Sequence, residues 1–181
     1  MFDPASPLAV PSGDPAESVT SVTPEMFRSV MAEFSSGVAV VTARFKGGLH
    51  AMTATAFCSV SLQPPLVLVC VGKASRFHPV IVGTDAWAVS FLSADQGWLA
   101  RHFGDRQREL RTQFDRVPWV PAPHSQAPLP SGTRGWLDCS THALYDGGDH
   151  TIAVGQVRRA SRATGLDPPL TYHRATYSDA P

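Results

Sequence analysis

Apolar residues in this chain fall mostly into short runs, separated by turns rich in glycine and proline. The longest run, residues 66–71, lies between a Pro-Pro pair and Gly72 and predicts a fully buried β-strand. Glycine-containing turns at residues 46–48 and 145–150 separate further runs and predict two β-hairpins. The pattern predicts strands at residues 38–44, 49–57, 66–71, 86–92, 135–144, 151–159 and 170–177.

Apolar residues at the spacing of a helix, and the residues that begin a helix, occur in only a few short stretches. Residues 23–25, Thr-Pro-Glu, have the composition of a helix start, with a capping hydroxyl and a proline at the first helical position. The apolar residues at 27, 30, 31 and 34 then share one stripe, which predicts packing against a core, and residues 35–37 end the helix. A Ser-x-x-Gln capping box opens a second predicted helix over residues 93–103, and a short one is predicted over residues 75–82.

Six or seven strands joined by short turns, with two or three short helices, predict a mainly β fold. The pattern favours a barrel of antiparallel strands with peripheral helices. Residues 1–22 are rich in proline and poor in large apolar side chains, which predicts a flexible N-terminal arm before one domain at residues 23–181. Residues 104–130 are charged and then proline-rich, which predicts a long irregular excursion.

Composition narrows the function classes. The 181-residue chain is 43% hydrophobic and 17% charged, with a formal net charge of zero. It therefore lacks the excess of basic residues that is typical of proteins that bind nucleic acid or a membrane surface. No leader-like segment or membrane-length apolar run is present, and we expect a cytoplasmic protein. Cys58, Cys70 and Cys139 lack paired spacing, so we expect reduced, at least partly buried thiols, and the scattered histidines predict no metal site.

Residues 51–77 carry the most suggestive chemistry. Small and hydroxyl residues lead into the apolar strand, and that strand is followed by Lys73, Ser75 and Arg76. Small side chains let a flat ligand approach backbone amides, and the basic exit suits a phosphate group. The residues alone slightly favour the alternative, a core strand with a solvated basic turn.

Four motifs together extend this picture. The first two are Ser-Leu-x-Pro-Pro-Leu-Val at residues 61–67 and Lys-x-Ser-Arg at residues 73–76. The other two are Gly-Asp-His at residues 148–150 and Pro-Leu-x-Tyr-x-x-x-x-Tyr at residues 169–177. In this combination the chain resembles the flavin reductase family. The resemblance implies a Greek-key split β-barrel of the FMN-binding type, usually a homodimer, with the flavin near the subunit interface. It also implies hydride transfer from NADH or NADPH to FMN or FAD, FMN being preferred, and delivery of reduced flavin to a separate flavin-dependent monooxygenase.

The resemblance also implies the site residues. Flavin-binding positions carried over from the family are Met52, Thr53, Ala54, Thr55, Ala56, Cys70, Val71, Gly72, Lys73, Ser75, Arg76, Phe77, His102 and Phe103. Nicotinamide-binding positions are His150, Tyr172, His173, Arg174 and Ala175. We expect His150 to position the nicotinamide, because hydride transfer requires stacked rings and excluded water rather than a protein base.

Two other functions remain open at this stage. One is a flavin-binding protein without catalysis, and the other is an oxidase of the pyridoxamine-phosphate type on the same barrel. Gly-Asp-His and the segment around Tyr172 favour the reductase over both.

Overall fold

The computed structural model describes residues 21–164 and 168–178, so the predicted arm at residues 1–22 lies almost entirely outside the described part. The chain divides into two compact units, Met1–Met31 and Ala32–Pro181. In the first unit, helix α1 (Pro24–Met31) begins as predicted, with the Met26 amide donating to Thr23 Oγ1 at 3.2 Å. The predicted burial of its apolar stripe is wrong, because no α1 residue is buried, and the eight-residue helix ends at Met31, before Phe34.

The second unit contains the remaining elements. Its strands are β1 (Ser36–Gly37), β2 (Ala39–Phe45), β3 (Gly48–Ala54), β4 (Phe57–Leu62), β5 (Pro65–Gly72), β6 (Ala86–Phe91), β7 (Trp119–Pro121), β8 (Pro128–Pro130), β9 (Gly135–Gly147), β10 (His150–Arg162), β11 (Thr171–His173) and β12 (Thr176–Ser178). Its helices are α2 (His78–Gly83) and α3 (Gly97–Gly104), the latter preceded by a 3-10 turn at Ala94–Gln96.

Seven of these strands form one antiparallel sheet in the order β3-β2-β6-β9-β10-β5-β4. A single buried cluster takes Ala54 from β3, Trp87 from β6, Ala153 from β10 and Val69 from β5. Because β3 at one end of the sheet order and β5 near the other end contribute to one interior, against which Phe57 of β4 also packs, the sheet curls around a common core. The predicted mainly β barrel with short peripheral helices is therefore confirmed.

The two predicted hairpins are present. Lys46 and Gly47 join β2 to β3 with positive φ angles of 49° and 77°, a conformation that glycine adopts readily. Strands β9 and β10 extend to Gly147 and His150, so the connecting turn is shorter than residues 145–150. This extension places His150 opposite Gly72 at the end of β5.

Three strand predictions need correction. Strand β5 is not fully buried but alternates, with Val67, Val69 and Val71 buried and the intervening residues half-exposed, because only one of its faces covers the barrel interior. The predicted strand at residues 49–57 is two strands, since β3 ends at Ala54 and β4 begins at Phe57. The predicted strand at residues 170–177 is the β11–β12 hairpin, whose turn residues have φ angles of 46° and 60°.

A second core anchors the charged excursion. The Ser93–Gln96 capping box opens the 3-10 turn as predicted, with the Ser93 amide donating to Gln96 Oε1 at 3.1 Å, and α3 follows. From α3, Leu99 and Phe103 pack with Val40 of β2 and with Phe114 beyond the helix. The first part of residues 104–130 is therefore held against the barrel, although it contains no long regular element.

The second part of the excursion is held by a buried carboxylate. Asp138 of β9 is fully buried and accepts from the backbone amides of His124 at 2.6 Å and Ser125 at 3.1 Å. These bonds fix the connection between β7 and β8. Among the cysteines, Cys58 is exposed rather than partly buried, and all three are free.

Candidate functional site

A cavity of about 480 Å³ opens where β3, β5, α3 and the β9–β10 hairpin end close together. Its volume lies in the range of small-molecule and cofactor pockets. The lining residues are Met52, Thr53, Ala54, Thr55, Ala56, Cys70, Gly72, Ala74, Ser75, Arg76, Phe77, Phe103, Gly104, Arg106, Arg108, Asp149 and His150.

One wall of the cavity is built from small side chains at the break between β3 and β4. Here β3 has ended and β4 has not yet begun. The Cys70 amide of β5 donates to the Ala56 carbonyl at 3.0 Å, so this short connection stays bonded to β5. Thr53 Oγ1 donates to the Ala100 carbonyl of α3 at 2.7 Å, which ties this wall to the helix. A flat ligand can therefore lie against alanines and backbone groups without displacing a large side chain.

The imidazole of His150 forms the edge of the cavity beside β5. A Cβ atom added to Gly72 would lie 3.5 Å from His150 Nε2, so the ring lies over that glycine. On its other side, His150 Nδ1 is 2.7 Å from Asp149 Oδ1. The hydrogen bond from His150, together with its charge, lowers the pKa of the exposed Asp149 carboxyl. Asp149 therefore holds the ring through Nδ1, with Nε2 over Gly72 at the edge of the cavity.

The opposite end of the cavity is cationic. Arg108 donates to the carbonyls of Phe103 and Asp105, each at 2.8 Å, to Gln113 Oε1 at 3.1 Å, and to the Ala51 carbonyl. Burial, with a contribution from the charge of Arg76, lowers the pKa of Arg108 to about 10. The group is still charged at neutral pH.

Arg76 supports the same loop from the other side. It donates to the Arg108 carbonyl at 2.9 Å and to the Asp105 carbonyl at 3.1 Å. Arg106 stands between these anchored residues and also lines the cavity. No sequence motif predicts that Arg106 or Arg108 lines a cavity. The arginines of a charged stretch look alike in sequence, and only the fold shows which of them face the cavity.

Several predicted flavin contacts lie elsewhere. Val71 points into the barrel core and is fully buried, because neighbouring residues of a strand face opposite sides. The Lys73 ammonium forms an ion pair with Asp146, and neither side chain lines the cavity. His102 precedes Phe103 on α3 and turns away, with Nε2 2.7 Å from the Gln113 carbonyl, where it lines a separate groove with Trp98.

The predicted nicotinamide residues are also divided. His150 lines the cavity, whereas Tyr172, His173, Arg174 and Ala175 do not. Arg174 pairs with Glu33, with Nη2 2.8 Å from Oε2, and sits in the turn between β11 and β12. From that hairpin the Tyr177 hydroxyl does come close to the cavity, since a Cβ atom added to Gly104 would lie 3.9 Å from it.

A larger cavity of about 840 Å³ shares Thr55 with the first. Its lining is mainly apolar, with Phe57 and Phe91 among its residues, and it contains Arg134 and Arg162. Within the described residues, no group of three or more His, Cys, Asp or Glu is arranged to hold a metal ion. In the same part of the chain, no helix is long and apolar enough to cross a membrane.

The sequence profile of the flavin reductase like domain matches residues 31–181. The chain belongs to this family. An NADH-dependent FAD reductase of Streptomyces globisporus is 46% identical over 160 residues, covering 87% of this chain and 85% of that protein. The reductase component of a 4-hydroxyphenylacetate 3-monooxygenase from Thermus thermophilus is 38% identical over 154 residues, covering 84% of this chain and 94% of that protein.

A solved structure agrees with the sequence comparison. The NADH:FAD oxidoreductase of Streptomyces globisporus C-1027, in complex with NAD and FAD fragments, superposes with a TM-score of 0.80 at 41% identity. The match covers 87% of this chain and 94% of that one. The resemblance found in the sequence motifs, and the split-barrel fold that it implied, are thus confirmed.

Proposed function

We propose that this flavin reductase like chain is an NADH-dependent flavin reductase that supplies reduced flavin to a separate flavin-dependent monooxygenase. The observation that carries the proposal is the cavity, which joins a wall of small residues, a cationic end and the imidazole of His150. The names of the similar proteins favour NADH as donor, FAD as acceptor and a monooxygenase as partner. The preference for FMN drawn from the sequence motifs stays a prediction, to be compared with FAD in the same assay.

The residues present fit a flavin. The alanine-rich wall admits a flat ring system, and the guanidinium groups suit its phosphate. When bound, the flavin supplies the hydride-accepting atom and the electron pair that is passed on. Beside Arg76, Ser75 Oγ accepts from the Phe77 amide at 3.2 Å, so its hydroxyl proton is free to be donated to a phosphate oxygen.

We assign His150 to the nicotinamide. Its ring is half-buried beside Gly72 and is held by Asp149, so it can pack along one face of a ring bound in the cavity. This role is positioning and exclusion of water, because hydride transfer needs close stacking of donor and acceptor and no protein base.

The reductase is expected to oxidise NADH only when flavin is added. A flavin that is held in the cavity without a covalent bond can leave it and must be supplied from solution. The decisive assay measures nicotinamide oxidation with FAD, FMN or no flavin, for NADH and for NADPH, with wild type and His150→Ala in parallel. The variant should raise the KM for the nicotinamide about tenfold and leave the flavin Kd nearly unchanged, as expected for one lost contact.

Each outcome of this assay separates the candidates. Flavin binding without turnover would favour a non-catalytic flavin-binding protein. Turnover of a pyridoxamine phosphate instead of NADH would favour the related oxidase. A variant that loses flavin affinity and keeps its nicotinamide KM would place His150 on the flavin instead.

We further propose that the chain forms a homodimer through the open face of its sheet. Cys70, Ile152 and Tyr145 are aligned across β5, β10 and β9, and the side chain of Tyr145 is 58% exposed. On the neighbouring edge strand β4, Leu62 is 90% exposed. Exposed apolar surface of this kind is typical of protein–protein interfaces, and Cys70 connects it to the cavity wall.

Light scattering after size exclusion should therefore give twice the 19.4 kDa mass of one chain. Tyr145→Asp should shift the species to one chain, because an interface centre does not tolerate an unpaired carboxylate. A wild type that stays monomeric at micromolar concentration would contradict the dimer.

The free cysteines and the use of a nicotinamide donor support a cytoplasmic location for this enzyme.

A further inference from the structure

Three guanidinium groups, those of Arg76, Arg106 and Arg108, line the same end of the cavity. Among the described residues that line it, Asp149 is the one acid, and its carboxylate is engaged with His150 at the other end. The Asp105 carboxylate does not line the cavity and accepts from the Gln107 amide at 2.8 Å. The charge of Asp105 offsets part of that on Arg108, and the lining of this end of the cavity presents cations and no acid to a ligand.

Two of the three groups are occupied by the protein itself. Arg108 uses donors from all three of its nitrogens on four acceptors of the chain, as described above. Arg76 uses both terminal nitrogens on the carbonyls of Arg108 and Asp105. Their hydrogen bonds shape the loop, and one Nη2 donor of Arg108 and the remaining donors of Arg76 are available to a ligand.

Arg106 differs from both. It makes no hydrogen bond or ion pair with any residue in the described ranges, and it lines the cavity from an exposed position. All five of its donors are therefore available, in the planar fork that binds phosphate oxygens in pairs.

The loop around Arg106 is anchored on both sides. The Asp105 carbonyl before it accepts from both Arg76 and Arg108, and the Arg108 carbonyl two residues after it accepts from Arg76. Because this backbone is held before any ligand arrives, binding through Arg106 orders one side chain and no loop.

We propose that Arg106 binds the phosphate of the flavin and sets the preference of the cavity for phosphorylated flavins over riboflavin. This inference rests on the proposed reductase function. Arg76 and Arg108 contribute by holding the loop, and Arg106 supplies the donors that meet the ligand.

The test compares the Kd values of FMN, FAD and riboflavin, measured by titration of flavin fluorescence, for wild type and three variants. Arg106→Ala should raise the Kd for FMN and FAD about tenfold and leave the Kd for riboflavin unchanged, as expected for one charge-assisted contact. Arg106→Lys should give an intermediate value, since it keeps the charge and loses the fork. The matched control is Arg111→Ala, which removes the same charge from the same exposed stretch outside the cavity.

Equal Kd values for Arg106→Ala and Arg111→Ala would overturn the proposal, because long-range charge would then explain any change. A weakened riboflavin complex would also overturn it, since riboflavin has no phosphate. A changed KM for NADH with unaltered flavin Kd values would move Arg106 to the nicotinamide dinucleotide. Failure of the reductase function would be recognised separately, as flavin binding by a wild type that oxidises no nicotinamide, whereas a wild type that binds none of the three flavins would overturn both proposals.

Discussion

Gly155→Ala is expected to lower the free energy of unfolding by about 3 kcal/mol, the upper part of the usual range for overpacking a core. A Cβ atom at this position of β10 would lie 2.5 Å from Cζ2 of Trp87 and 3.0 Å from Cβ of Cys139. Both neighbours are fully buried in the barrel interior, and an indole ring cannot bend aside. The backbone of β10 would therefore have to move away from Trp87. Urea unfolding monitored by circular dichroism measures the loss.

Gly37→Ala is the matched control. A Cβ atom there would meet no atom within 4 Å, and the residue has no positive φ angle, so we expect a change within about 0.5 kcal/mol. If the two variants were equally stable, the close approach of β10 to Trp87 would be contradicted.

Arg108→Ala should be damaging in two ways. It removes hydrogen bonds to four acceptors, which include the carbonyls of Ala51 and Phe103, and we expect a loss of about 2–3 kcal/mol of unfolding free energy. The same change releases the loop that carries Arg106, so the Kd for FMN and FAD should rise at least about tenfold. Urea unfolding and flavin titration measure the two effects.

Arg108→Lys separates charge from geometry. A single ammonium group keeps the charge and cannot reach all four acceptors, so most of both losses should remain. Full recovery in the lysine variant would mean that the positive charge alone matters. An alanine variant with unchanged stability and affinity would show that the network around Arg108 does not hold the loop.

Local signals in the sequence predicted local structure well. The Lys46-Gly47 turn and the Ser93–Gln96 capping box depend on a few neighbouring residues, and both are found where predicted. The alternation of buried and half-buried residues along β5 could not be predicted in the same way. A run of valines and leucines is compatible with a strand that is covered on one face or on both. The stripe of α1 was assigned to a core for a similar reason, since spacing predicts a face and not the surface that would cover it.

The cavity was predictable in part. The small residues at 52–56 and the Gly-Asp-His motif are contiguous, so a family resemblance could carry them over, and the structure brings Thr55 and His150 to one cavity. His102 is different, because one position along a helix rotates a side chain by about 100° and takes it to another groove. Arg106 and Arg108 come from an irregular stretch, whose path depends on the second core around Phe114.

Cys70 lies in the cavity wall, and this location bears on the chemical durability of the enzyme. Reduced flavin that reacts with oxygen releases peroxide, and peroxide oxidises thiolates much faster than thiols. Burial raises the pKa of Cys70, and the neighbouring Cys58 raises it further. The sulfur therefore stays protonated at neutral pH, so a flavin bound in this cavity, as proposed, would release its peroxide beside a thiol of low reactivity.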